Sequence, residues 1–275
     1  MTITGASSRF YGRTYGGDAT ENYERYFVPV IGRPLAVDLI NAAHLLAGER
    51  ILDVGCGTGI VARLAADRVG ATGTVAGVDV NAGMLAVARA VAVASGHDSI
   101  HWYETAAEAM PLLNASFDVV FCQLALQFFA DRPAALREMR RVLVPGGRIV
   151  VSAPTPTEFF DVFERAMTRH AGPAVGAFVQ QVFSLNDSGE LEQLFRDAGF
   201  AEVSIVHDLK TVQLPAAGDF LWQYVQSTPL AAAVERLDEA GRSAMEQEVV
   251  AGWQRWAVDG GLRYEQPVLR ALARK

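Results

Sequence analysis

Apolar and polar positions come in blocks along much of the chain, and each block has the length and spacing of a strand or a helix. Ile51-Leu52-Asp53-Val54 is a short, mostly apolar run closed by glycines, the pattern of a strand buried on both faces. Ile60, Val61, Leu64, Ala65 and Ala66 then recur at helical spacing. Thr74 to Val80 has the β-branched content of a second strand. Asn81 follows where a cap belongs, ahead of a helix carrying Met84, Leu85 and Val87. Strands are predicted over Ile100–Tyr103 and Phe117–Cys122. Asp131 and Pro133 open a helix over Ala134–Leu143, with Pro in its first turn. Pro145-Gly146-Gly147 ends it before a strand over Arg148–Ser152. A helix near Ser188–Ala198, a strand over Ala201–Val206 and a last strand over Val268–Ala273 complete the series.

Strand, helix, strand in this rhythm implies right-handed crossovers and a parallel sheet. The expected fold is α/β: a Rossmann-like, doubly wound, seven-stranded, mostly parallel sheet, in a single domain over residues 1–275. Three segments depart from the rhythm and hold many of the aromatics: 1–48, 154–186 and 215–262. They are expected to form an N-terminal helical lid and two cap insertions over the carboxyl ends of the strands, where insertions in such folds cluster. The chain, 275 residues with 51% hydrophobic and 20% charged, suits one core of that size.

Charge narrows the partners. With a net charge of −7 and no Lys/Arg-rich run, the chain lacks the basic face that nucleic-acid binding requires. No apolar stretch approaches a membrane span, and Met1–Arg13 has no signal-peptide core. Two cysteines, Cys56 and Cys122, are too few for a disulfide framework, so a cytoplasmic protein with reduced thiols is expected. No metal site is expected, since no His/Cys spacing matches a metal-ligand set.

The chemistry concentrates in Asp53-Val54-Gly55-Cys56-Gly57-Thr58-Gly59, with Asp79 twenty residues beyond Gly59. A glycine-rich turn between strand and helix lets ligand atoms approach the backbone. An acidic residue ending the second strand is placed to accept hydrogen bonds from ribose hydroxyls. Dinucleotide sites favour G-x-G-x-x-G, whose helix N-terminus faces a pyrophosphate. Here the glycines run G-x-G-x-G behind Asp53, which suits the cationic side of S-adenosylmethionine (SAM) better than a pyrophosphate.

These residues resemble the class I SAM-dependent methyltransferases, and in particular the group that includes the ubiquinone/menaquinone-biosynthesis C-methyltransferases. The likeness rests on Ile51–Gly59, Gly77-Val78-Asp79, Ala107-Glu108-Ala109-Met110-Pro111, Phe117-Asp118-Val119-Val120 and Arg141–Gly147. It implies a methyl transfer from SAM, leaving S-adenosyl-L-homocysteine. It also implies that Gly55, Cys56, Gly57, Thr58 and Gly59 line the methionine and ribose part, with Val80 and Met84 on the adenine. Ala107 would meet the adenine edge, while Cys122 and Gln123 face the methionine and the transferred methyl. Family members often carry an acidic residue where this chain has Ala106, so either a neighbour such as Glu108 or Thr105 substitutes, or the adenine amino group bonds to backbone or water.

The remaining candidates concern a small, partly apolar organic acceptor. Gln127 and Phe128, beyond the fourth strand, are expected to meet it, with Phe159, Phe163 and Trp222 in the caps. Tyr15 and Tyr23 are candidate lid residues, and His170 is the candidate general base. Asp118, at the strand end away from the site, reads as structural, and Glu138, Arg140 and Arg141 as a solvated helix face. Two other readings compete: a SAM-binding regulator or cyclase-like protein that no longer transfers methyl, and an NAD-dependent oxidoreductase, which the glycine spacing disfavours.

Overall fold

The computed structural model describes Tyr11 and residues 15–275, so the predicted lid is seen only from there onward. One sheet of eight strands runs in the order β3-β2-β1-β4-β5-β8-β6, with a short β7 (Ala257–Val258) beside β8. β1 (Arg50–Val54), β2 (Thr74–Asp79), β3 (His101–Glu104), β4 (Phe117–Gln123) and β5 (Leu143–Pro154) are mutually parallel. β8 (Gly261–Arg274) lies antiparallel between β5 and β6 (Ala201–Leu214). The fold expected from the sequence is found, with two corrections. β6 and β8 are 14 residues each, and they form a long ribbon rather than the short runs predicted. β7 is an eighth strand that two residues could not announce.

α2 (Arg33–Ala43), α3 (Ile60–Val69) and α4 (Ala82–Ala94) cover one face. Their Leu39, Ile40, Val61, Ala65 and Ala92 pack with Ile51, Val119 and Val150 of the sheet. α5 (Arg132–Val142) and α8 (Ser188–Asp197) cover the other with Leu136, Met139, Leu191 and Phe195 against Leu52, Val120 and Ile149. The caps predicted from sequence bound their helices: Asn81 accepts from the Met84 amide at 2.9 Å and Asp131 from Ala134 at 2.8 Å; Asp187, not foreseen, caps a further helix by accepting from Glu190 at 2.8 Å. Asp118 pairs with Arg50 at 2.8 Å. The helix face of Glu138 and Arg141 is not merely solvated. Glu138 accepts from the Met110 amide at 3.0 Å, and Arg141 donates to the carbonyls of Met110 and Leu112. Together they pin the loop after β3.

A third core sits above the strand ends. α6 (Glu158–Ala171), α7 (Pro173–Val182), α9 (Ala217–Gln226) and α11 (Glu239–Trp253), with the four-residue α10 (Ala231–Val234) between the last two, enclose Phe159, Phe163, Phe178, Phe220 and Trp253. α1 (Asp18–Asn22) leads into a ten-residue π-helix, Tyr23–Gly32, with Pro29 inside it. A π-helix bonds each amide to the fifth carbonyl back, a rare arrangement that recurs at functional sites. Here the Arg33 amide reaches the Val28 carbonyl in that pattern.

Candidate active site

β1 and β4 are neighbours, while the chain reaches β2 and β3 on one side and β5 on the other. Crossovers therefore leave in opposite directions here, and a cleft opens beyond the strand ends, the usual ligand site of such sheets. A cavity of about 530 Å³ fills that place. Its lower wall consists of Gly55, Gly57, Asp79, Val80, Met84 and Thr105 to Glu108. Gln123 and Gln127 stand between this wall and an upper one holding Tyr11, Tyr23, Phe27, Phe128, Phe160 and Tyr224.

The lower wall is shaped by backbone bonds. Gly55 has φ +70°, and a Cβ there would come within 2.5 Å of Ala125. Gly57, at φ +52°, faces open space with only Tyr23 at 3.9 Å. A side chain at Gly57 would project into the cavity, so glycine leaves a cradle a ligand can fill. The Asp79 carboxylate accepts from the amides of Gly57 at 2.8 Å and Asn81 at 2.9 Å. Burial pushes this carboxyl above its ordinary value, and the bonds from Asn81, Gly57 and Val80 oppose the shift. The remaining lone pairs of that acid suit a vicinal diol, so the residues present fit SAM's ribose, with Val80 and Met84 beside them for the adenine. Ala106 lines the cavity as expected. Of its two proposed substitutes, Glu108 is engaged by the amides of Ala130 and Asp131, and the Thr105 hydroxyl by the Ala109 carbonyl.

Five of the predicted cofactor residues lie behind this wall rather than on it: Asp53, Cys56, Thr58, Gly59 and Cys122. Asp53 sits beneath the loop and accepts from the Ala62 amide at 3.2 Å. Burial, with Asp79 adding to it, lifts its carboxyl to about 7. Gly59 is required by packing, because a Cβ at its φ of +83° would stand 2.4 Å from Trp102. Cys56 and Cys122 are buried free thiols, raised by desolvation and thus poor nucleophiles. The Gly55 and Cys56 amides are both spent on the Val78 carbonyl.

The upper wall differs more from expectation. Phe159 and Phe163 face away from the cavity and stack on Trp253 at 4.5 and 6.0 Å between ring centres. Phe160, one step along α6, takes the lining position. In α9 the same rotation puts Tyr224 on the cavity and Trp222 against the cap core. His170 pairs with Glu248 at 2.9 Å on the cap's outer side and does not line the cavity. Tyr15 donates to the carbonyls of Ala19 and Ser227, both at 2.9 Å, and so anchors the N-terminal segment. Tyr23 and Phe128 do line the cavity. Sequence reasoning missed Tyr264 and Gln266 as lining residues and did not single out Tyr11 and Phe27 from the other N-terminal aromatics. Only the four-residue spacing of Tyr23, Phe27, Ile31 and Leu35 signalled a shared face.

Two glutamines have fixed orientations. Gln123 donates through Nε2 to the Gly32 carbonyl at 2.8 Å, which ties β4 to the π-helix. Gln127, 1% exposed, donates through Nε2 to the Leu124 carbonyl at 2.9 Å. A carbonyl partner requires nitrogen at that position, so each Oε1 is an acceptor, and neither has a donor among the described residues. The Gln127 main-chain carbonyl is held by Arg132 and Gln181. Among the described residues, no group of three or more His, Cys, Asp or Glu is placed to hold a metal. No helix among them is long and apolar enough to cross a membrane.

Comparison with known proteins agrees with this geometry. A methyltransferase-domain family model matches residues 52–151. Nocamycin O-methyltransferase of Saccharothrix syringae is 30% identical over 257 residues, covering 88% of this chain and 91% of that protein. A ubiquinone/menaquinone biosynthesis C-methyltransferase of Hahella chejuensis is 36% identical over 149 residues, 52% of this chain and 58% of that one. In fold, the chain superposes on Haemonchus contortus phosphoethanolamine N-methyltransferase 2 in complex with SAM with a TM-score of 0.61. That match has 19% identity over 96% of this chain and 58% of the other. The chain thus belongs to the family of SAM-dependent methyltransferases.

Proposed function

We propose that this methyltransferase acts in the cytoplasm on a small, partly apolar organic acceptor bound under the aromatic caps. The observation that carries this reading is one continuous cavity, with the Gly57–Asp79 cradle at one end and Phe27, Phe128, Phe160 and Tyr224 at the other. SAM supplies an already activated methyl group. The protein's work is alignment and exclusion of water, and alignment alone accounts for ~7–11 kcal/mol in well-oriented reactions. Asp79 would hold the ribose hydroxyls, Gly55 and Gly57 leave room for the methionine part, and Val80, Met84, Ala106 and Ala107 enclose the adenine. Gln123 would present its Oε1 to the methionine side. Gln127 would orient a polar group of the acceptor while Phe128 packs against its skeleton. The 275 residues act as a single domain in this reading, with 15–48 and the two caps closing the cavity. The decisive experiment is a crystal structure with S-adenosyl-L-homocysteine. Its adenosine is expected against Asp79, with its sulfur facing Gln123; an adenosine placed elsewhere overturns the assignment.

A further inference from the structure

Three phenols stand together on the upper wall. Tyr11, Tyr23 and Tyr224 line the cavity, and none of the three takes part in a hydrogen bond among the described residues. Burial raises all three above the ordinary tyrosine value, and the groups also act on one another. Tyr11 feels Tyr15, Tyr224 and Tyr23; Tyr23 feels Tyr15, Glu24, Asp79 and Tyr224. The rings gather in one region: Tyr11 and Tyr23 are 6.4 Å apart between centres, Phe27 bridges Tyr23 at 4.6 Å and Tyr224 at 6.4 Å, and Tyr23 stands 3.9 Å from where a Cβ of Gly57 would be. Tyr15 is different, since its hydroxyl is spent on two carbonyls. Three hydroxyls on one wall, each with its donor and acceptor capacity unused by the described residues, form a polar patch open to a ligand.

Held neutral, these hydroxyls can donate, and an electron-rich oxygen is their complement. Among the described residues, the charged side chains on the cavity are Asp79 and Glu108, both acids and both on the lower wall. No His, Lys or Arg among them lines it, so an amine acceptor would find no described base on the upper wall to take its proton. A protonated amine would also bring a second positive charge beside the sulfonium.

Building on the methyltransferase reading, we propose that the acceptor is an organic oxygen acid on an apolar skeleton, a carboxylate, enolate or acidic phenolate. Its ionised oxygen is held by the hydroxyls of Tyr11, Tyr23 and Tyr224, and it binds after the methyl donor. The acceptor oxygen gives a lone pair to the methyl carbon, the old carbon–sulfur pair stays on sulfur, and no proton moves. The negative acceptor and the positive donor neutralise each other in a desolvated site. Without the donor, an anion held by the three hydroxyls would have only the carboxylates of Asp79 and Glu108 as charged neighbours among the described residues, and this favours binding after the donor.

Calorimetry on the full chain tests this with three probes on one ring system: 2-naphthoate, 2-naphthylmethylammonium and 2-methylnaphthalene. Each is titrated into the free protein, the S-adenosyl-L-homocysteine complex and the sinefungin complex, whose amine places a positive charge near the sulfonium position. 2-Naphthoate is expected to bind at least about tenfold tighter to the sinefungin complex than to the other two forms. Tyr23→Phe and Tyr224→Phe should each weaken it about three- to tenfold, the worth of one hydrogen bond, and leave 2-methylnaphthalene unchanged. The proposal is overturned by tighter binding of the ammonium probe, or by naphthoate affinity that is absent or indifferent to sinefungin. Equal losses for all probes in the phenylalanine variants overturn it as well. Failure of S-adenosyl-L-homocysteine itself to bind would strike the methyltransferase reading. Its binding with naphthoate failing strikes this inference alone.

Discussion

Gly55, Gly57 and Asp79 reach the cavity from loops at the ends of β1 and β2, so the hydrogen-bond ladder of the sheet fixes their positions. Tyr11, Tyr23, Phe160 and Tyr224 reach it from three separate stretches of chain, and side-chain packing alone sets where they stand. The first wall binds a group of fixed shape and is built from backbone. The second meets whatever acceptor the enzyme has come to use, and it is built from rings that can be exchanged one at a time.

If that contrast is right, substitutions should separate the two walls. The largest effect is expected from Phe159→Ala, which opens a hole in the cap core where that ring stacks on Trp253 and Tyr264. A loss of ~3–5 kcal/mol in stability by chemical denaturation is expected. SAM affinity measured where the variant is still folded should change little. Conversely, Asp79→Ala should weaken SAM binding by calorimetry about 10- to 100-fold, the worth of hydrogen bonds to a charged group, with little change in the unfolding midpoint. Should Phe159→Ala abolish SAM binding in the folded protein, the walls are not independent.

Asp53 sharpens the comparison from behind the lower wall. Its folded-state value of about 7 lies above that of an unfolded aspartate, so the folded chain holds this proton more tightly. The contribution is full in acid and is lost as pH rises towards 7. Wild type minus Asp53→Asn stability, followed by denaturation from pH 4 to 8, should therefore fall until the pH reaches about 7 and be flat beyond it. The total is of order a few kcal/mol. A difference that does not vary with pH would show that the carboxyl is not protonated in the fold. The smallest effect is expected at His170, whose pairing with Glu248 is on the cap's outer side. His170→Ala should leave turnover unchanged and stability within about 1 kcal/mol.

The lower wall and the sheet were legible because each carries a local signal. Strand periodicity, capping residues and a glycine-rich turn all act within a few positions of the feature they build. The upper wall was not legible for a geometric reason. The sequence shows that Phe159, Phe160 and Phe163 share a helix, but the choice of cavity-facing ring depends on the rotation of α6 against α11, which no local residue encodes. Phe160 was passed over for its neighbours for that cause, and Tyr224 against Trp222 repeats it. Gly59 shows the converse: the motif was visible, yet the reason for the glycine is Trp102, 43 positions away in the chain.

The wide helical turn of Tyr23–Gly32 bears on how relatives of this enzyme diverge. Such a segment carries surplus length that an ordinary α-helix would not hold, so losing one residue there could tighten the coil without breaking it. Tyr23 and Phe27 would swing out of alignment with the cavity, whereas Gly55, Gly57 and Asp79 would stay put. A single-codon deletion could thus retune acceptor choice while the donor grip is inherited intact, a route to new substrates that does not require changing any ring.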